Sequence, residues 1–410
     1  MARHPKIIDE SWNTATTRHP EPQAKDPESF LIERTRVPSG FALRMTLFFL
    51  LLICWSGLAQ GYALKEPSTL TSPVRRVWSS SLKKQTRWLR NPYQFARLAA
   101  DDEKIYVGVE KAVFYAIRLK NGRKAWKFQT QGAVESTPAL DDTTVYFGDA
   151  KGQIYALDKQ NGRLQWNTKV DAPVVSSPLL DGATLYVVNT EKKLSAFDKK
   201  TGYLLWQTLP LEKDRNFTVF GNAGPVKISG LIWVGYADGS LVAYSPEDGA
   251  IRFVKQLGNR DEVLHDIDAS PWVGADRFFV PTADGGLYAL SAKDGKILWH
   301  APHGGVNETV VDQEVLYVTA QGVVSALKAD EGQVLWEQDL SVPEISPPAL
   351  VGDLLVTVAT RGKIYFIDRH NGDLLHARYL SKGSYSAPLV RGNRFYLLSN
   401  RGVLSCFELK

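Results

Sequence analysis

Tyr155-Ala156-Leu157-Asp158, then Asn161-Gly162, then Trp166: this stretch decides the fold. An apolar run leads into an Asn-Gly pair, and a large aromatic follows the glycine by four positions. Asn-Gly between two such runs is a strong short-range hairpin signal, because the tight turn needs positive φ at its central positions. The next copy is Ser195-Ala196-Phe197-Asp198, Thr201-Gly202, Trp206. Outward from these two, the same frame joins Gly122 to Trp126, Gly249 to Phe253, Gly295 to Trp299 and Gly332 to Trp336. A seventh copy has Gly372 and then His376, where the aromatic has lapsed. Such a repeat governs everything else, since no single copy can bury its own apolar face.

A proline marks the start of most copies, always at the same interval before the closing aromatic position. The intervals are Pro138 to Trp166, Pro178 to Trp206, Pro225 to Phe253, Pro271 to Trp299 and Pro348 to His376. Each holds four short strand candidates, which in one copy are Ser136 to Leu140, Thr144 to Gly148, Gln153 to Asp158 and Arg163 to Asn167. Four short antiparallel strands per repeat make the blade of a propeller. The proline suits the beginning of the innermost strand, where a missing N–H is tolerated. A last copy starts at Pro388, but the chain stops at Lys410 before any hairpin glycine. Val74-Arg75-Arg76-Val77-Trp78, ahead of the first copy, supplies the missing fourth strand and closes the ring without an open edge. The expected fold is therefore all-β: an eight-bladed propeller over residues 74–410, closed by its N-terminal strand. Trp78, Trp126, Trp166, Trp206, Phe253, Trp299 and Trp336 are expected to pack between adjacent blades and to serve the fold rather than chemistry.

Length varies almost wholly in the links between blades. The links Trp126 to Pro138, Trp166 to Pro178, Trp336 to Pro348 and His376 to Pro388 are short and equal. Trp206 to Pro225, Phe253 to Pro271, and Trp78 to the matching position Leu98 are half as long again or more. All these links share one face of the disc, and insertions gathered on one face mark a binding face. Two neighbouring long links carry Arg215, Phe217 and Phe220 on one side and Arg260, Asp266 and Asp268 on the other. Mixed charge with aromatic residues suits a protein contact. The two aspartates could equally cap their loop through backbone N–H groups, and two carboxylates without a third oxygen-rich position make a poor calcium site.

The N-terminus has a different character. Leu47 to Trp55 is a short apolar run preceded by Arg44 and followed by the small-residue stretch Gly57 to Ala63, the anatomy of an export signal. The run is too short for a convincing membrane span. Residues 45–63 are thus expected to be a signal peptide, and 1–44, ahead of Met45, to be disordered or untranslated. Attachment to the membrane is expected to be indirect or through a lipid anchor, although Ile53 before Cys54 is unlike the small residue that precedes a lipidated cysteine. The formal net charge is +5, with basic residues scattered rather than striped, which argues against nucleic acid. Cys54 and Cys406 suggest no disulfide framework. The seven histidines stand in no catalytic frame, and His300 with His303, in an inter-blade loop without further ligands, make no metal site. No cofactor, metal or catalytic residue is expected.

The Ala- or Ser-apolar run followed by Gly-x-x-x-Trp resembles the repeat named after pyrroloquinoline quinone enzymes. Two groups share it, the quinone-dependent dehydrogenases and the outer-membrane protein assembly factor BamB family. The second likeness covers nearly everything from residue 74 onward. Its most specific stretch is Val263-Leu264-His265-Asp266-Ile267-Asp268-Ala269-Ser270-Pro271, similar to that family's aspartate-x-aspartate before a proline. The resemblance implies a non-catalytic periplasmic scaffold that docks on the periplasmic domains of the β-barrel insertase, with Asp266 and Asp268 in the contact. It implies help in delivering unfolded outer-membrane proteins. In the preceding loop the family's apolar-arginine-glycine run is replaced by Val219-Phe220-Gly221, with Arg215 nearby but out of register. A dehydrogenase would need quinone, a metal ion, an adjacent-cysteine disulfide and a longer chain. A propeller that senses a small ligand in its central channel is the other alternative.

Overall fold

The computed structural model describes residues 72–82, 96–209, 223–258, 267, 269–283, 286–302 and 309–410. Within them every regular element is a strand, β1 to β32 in chain order, and the strands form eight four-stranded antiparallel sheets. Seven sheets are simple meanders, so blade 1 runs from β2 to β5 and blade 7 from β26 to β29. Blade 2 shows how the repeat maps: β6 is Ala139–Leu140, β7 Thr144–Gly148, β8 Gln153–Asp158 and β9 Leu164–Lys169. The two middle strands have the expected bounds. The inner strand is shorter than expected, because Ser136 to Pro138 make no ladder pairs, and the outer strand starts one residue later and ends two residues further on.

Blade 8 is composite. β30 (Leu389–Arg391), β31 (Arg394–Leu398) and β32 (Val403–Leu409) are completed by β1 (Val74–Ser81) in the order β1-β32-β31-β30. Val74 lies opposite Leu409 and Ser81 opposite Val403, and the Lys410 amide donates to the Pro73 carbonyl at 3.0 Å. Glu408 binds the two strands that flank it. Arg75 Nε donates to its Oε2 at 2.8 Å from β1, and Arg394 Nε to its Oε1 at 2.8 Å from β31. The Arg394 and Arg75 guanidiniums hold the Glu408 carboxyl below its ordinary pKa.

Apolar side chains fill the space between neighbouring sheets rather than one central core. Phe114 of blade 1 stacks on Phe147 of blade 2 with centroids 3.8 Å apart, and Phe366, Phe395 and Phe407 fill the gap between blades 7 and 8. The repeated tryptophans lock these seams by a device with two parts. Trp126 Nε1 donates to the Lys159 carbonyl of blade 2 at 3.0 Å, while its ring lies on Gly162, where a Cβ would stand 2.6 Å from the indole. Gly162 also has φ of 74°. The hairpin turn and the stacked ring therefore both require glycine there. Trp78 repeats this on Leu119 and Gly122, Trp166 on Lys199 and Gly202, Trp206 on Pro246 and Gly249, Trp299 on Ala329 and Gly332, and Trp336 on Arg369 and Gly372.

Phe253 departs from this pattern. The ring lying on Gly295 is Trp233, from β15 (Leu231–Gly235) of the same blade, and Phe253 stacks behind it with interplanar angle 5°. The Trp233 Nε1 is buried without a hydrogen-bond partner, so this seam keeps the stacking half of the latch and lacks the hydrogen bond.

Candidate functional site

In a four-stranded meander the links between blades emerge on the same face as the turns between the second and third strands. The short links show how that face is built. In blade 2 the buried Asp149 carboxylate accepts the amides of Lys151 and Gln153 in its own turn, the amide of Gly132 in the preceding link, and the Tyr155 hydroxyl. Burial and that aspartate push the Tyr155 phenol well above its usual range. Blade 3 uses Asn189 in the same place: its Oδ1 accepts the Glu191 and Lys193 amides, and its Nδ2 donates to Asp171 at 2.8 Å. Between blades 3 and 4 the Lys192 ammonium meets Asp238 at 2.5 Å. Burial opposes ionisation of Asp238, but the contacts from Lys192 and Ser240 outweigh it and its pKa falls.

Two of the short links also carry an apolar plug. Val134 and Val174 stand four residues before Pro138 and Pro178, and both are fully buried. They press on Gly108 and Gly148, where an added Cβ would lie 2.3 and 2.1 Å from the valine side chain. The long link after blade 4 keeps this plug as Ile267, four residues before Pro271. Ile267 is fully buried against Gly235 and Ala223, and its amide donates to the Tyr236 carbonyl at 3.2 Å. The repeat frame does not single out this plug, although an apolar residue at a constant distance from the proline is its visible trace.

The six residues expected to contact a partner, Arg215, Phe217, Phe220, Arg260, Asp266 and Asp268, lie outside the described residues. So do the expected signal segment 45–63, residues 1–44, Cys54 and His303. His300, expected in a loop, instead lies within β21 (Ile297–Ala301), its ring stacked 4.2 Å from that of Tyr288. Cross-strand pairing with that tyrosine extends the sheet past Trp299 and draws the histidine into it. Cys406, on β32, is buried, and burial pushes its thiol up to about 11, which makes it a small apolar core residue.

Quinone-dependent chemistry would require a metal beside the cofactor. Among the described residues no three His, Cys, Asp or Glu side chains come together to hold one, so these residues do not fit the group. Among the same residues no helix is long and apolar enough to cross a membrane.

Residues 115–321 and 320–410 match the family model described as outer membrane protein assembly factor BamB, which covers well over half of the chain. The chain belongs to the BamB family. The BamB of Legionella pneumophila is 26% identical over 191 residues, 45% of this chain and 50% of that one; the match therefore spans half of the relative's length. The BamB of Yersinia pestis is 25% identical over 344 residues, covering 81% of this chain and 77% of the relative. Among solved structures, the BamB of Moraxella catarrhalis superposes with a TM-score of 0.72 at 19% identity, covering 82% of this chain and all of that one. A quinohemoprotein alcohol dehydrogenase from Comamonas testosteroni shares the fold at 14% identity and a TM-score of 0.66, covering 82% of this chain and 76% of that one.

Proposed function

We propose that this BamB-family propeller is a non-catalytic scaffold of the outer-membrane β-barrel assembly machinery, exported to the periplasm and held at the outer membrane. It docks on the periplasmic domains of the insertase through the long inter-blade links and assists delivery of unfolded outer-membrane proteins. The observation that carries this reading is the family match over residues 115–410, taken with the gathering of link length on one face. Asp266 and Asp268 flank Ile267, whose burial gives the end of their link a fixed attachment to blade 4. A contact made beside such an anchor loses less conformational freedom on binding than one made far from it. Arg215, Phe217, Phe220 and Arg260 complete the proposed surface.

The test is binding of the purified protein to the periplasmic domains of its host's insertase, by calorimetry. The expected result is association that the double change Asp266→Lys with Asp268→Lys weakens about a hundredfold, in the range of a loss of buried charged contacts. Undiminished binding by the double variant would remove these aspartates from the contact. No binding by the unaltered protein would overturn the docking role.

A further inference from the structure

We propose that the seam between blades 8 and 1 is a binding cleft for an extended acidic peptide segment, with Lys124 and Lys127 as its anion-binding groups. The outer strand of blade 1, β5 (Lys124–Gln129), pairs with β4 (Val113–Arg118) through a bulge. Ile117 lies opposite Lys124, Ala116 opposite Trp126 and Tyr115 opposite Lys127, leaving Ala125 as the extra residue. Cross-strand partners share a face and successive pairs alternate, so the bulge puts both lysines on the face of Tyr115 and Ile117. That face looks toward blade 8: Tyr115 and Ile117 cluster with Leu82, Tyr396 and Trp78. Trp126 goes the other way, into the cluster shared with blade 2.

A cleft of about 530 Å³ opens at this seam, with Ser81, Leu82, Tyr115 and Trp126 beside the two lysines. Its wall is fixed, because the Tyr115 hydroxyl donates to the Leu82 carbonyl at 2.9 Å. The Lys124 ammonium lies 4.9 Å from the centre of the Tyr115 ring, and neither lysine has a carboxylate partner among the described residues. Two like charges on one face without a counter-charge favour an anion between them.

The other blades make this pair of lysines a departure from the repeat. The position of Lys124 is held by Leu164, Leu204, Ile251, Ile297, Val334 and Leu374 in blades 2 to 7. The position of Lys127 is held in blades 2, 3 and 6 by a side chain bonded to its own sheet: Asn167 to Gln153, Gln207 to Ser195, and Glu337 to Ser325. Blade 1 therefore replaces an apolar residue and a sheet-bonded one by two cations facing a cavity. Among the described residues the outer edge of β5 also has no strand partner. An extended segment can pair its backbone with that edge while its carboxylates meet the ammoniums, which a free phosphate or a lipid headgroup cannot do.

The experiment measures binding of a short fluorescein-labelled peptide of alternating Glu and Val to the full chain, by anisotropy. It compares Lys124→Leu with Lys127→Asn, which installs the residues blade 2 uses, against the charge-matched pair Arg163→Leu with Lys169→Asn on blade 2 itself. The first pair should weaken binding about tenfold or more and the second less than about twofold. Hydrogen exchange on the unaltered protein should show the peptide protecting amides of β5, a readout that needs no variant. Equal weakening in both pairs would reduce the effect to diffuse charge and overturn the proposal. So would unprotected β5 amides, or complete displacement of the peptide by inorganic phosphate or phosphatidylglycerol vesicles. The proposal does not rest on docking to the insertase.

Discussion

The seam between blades 2 and 3 and the seam between blades 7 and 8 occupy equivalent places in the ring and are held differently. At the first, Trp166 lies on Gly202 and donates to the Lys199 carbonyl, closing over a hairpin that one continuous chain makes. At the second, the neighbour has no such hairpin. Its third and fourth strands come from opposite ends of the sequence and meet where Lys410 bonds Pro73. His376, in the tryptophan position, stands where there is no hairpin glycine to cover, and Arg378 works instead, with its guanidinium 5.4 Å from the Phe407 ring centre. The difference teaches that the aromatic is a property of the seam, not of the blade that carries it. It appears where the next blade offers a glycine turn and disappears where the next blade is closed by chain ends.

The strongest way to break this comparison is to remove the two equivalent side chains. Trp166→Ala should cost about 3–5 kcal/mol in urea denaturation and His376→Ala less than about 1.5 kcal/mol; equal costs would mean that the lapse at 376 carries no structural information. Next in size is the glycine beneath the ring. Gly162 has a positive φ and the Trp126 ring against it, whereas Gly182 has a positive φ and open space around it. Gly162→Ala should therefore cost about 2–4 kcal/mol, the left-handed backbone and the steric clash together. Gly182→Ala meets the conformational cost alone, about 1–2 kcal/mol. Thermal melts of the two variants would separate the turn from the seam. The smallest effect sharpens the composite side. Because Arg394 and Arg75 hold Glu408 below its ordinary 4.5, its contribution is complete above that pH and is lost as pH falls through the folded value. Glu408→Gln should therefore flatten the acid limb of the stability profile below about pH 4.5 and leave Trp166→Ala's deficit unchanged.

The blade count, the closing strand and the tryptophan positions were legible because each rests on local chemistry at a fixed spacing: a glycine at positive φ, an aromatic four residues on, a proline ahead of a short inner strand. Trp233 was not legible as the ring over Gly295, since it lies outside the Gly-x-x-x-aromatic frame and reaches the glycine only through the pairing of β15 within its sheet. Ile267 is hidden between two charged neighbours, and a single apolar residue announces a plug only when Val134 and Val174 are set alongside. The lysine cleft depends on a bulge, which moves Lys127 to the face of Lys124 against simple alternation by two. Charge counting along the chain finds no stripe there, since the grouping exists only across the seam.

The closing pair of strands has a consequence for synthesis. Arg75 and Glu408 stand at opposite ends of the propeller sequence, so β1 is among its first elements to leave the ribosome and the last to find its partner. Until β32 emerges, β1 and β31 lack the strand that joins them, in addition to the outer edges that the blades retain, and a chain broken off before Val403 never joins them. β1 thus stays open to strand addition until β32 is made, and the last strand of the propeller decides whether the first is sheltered.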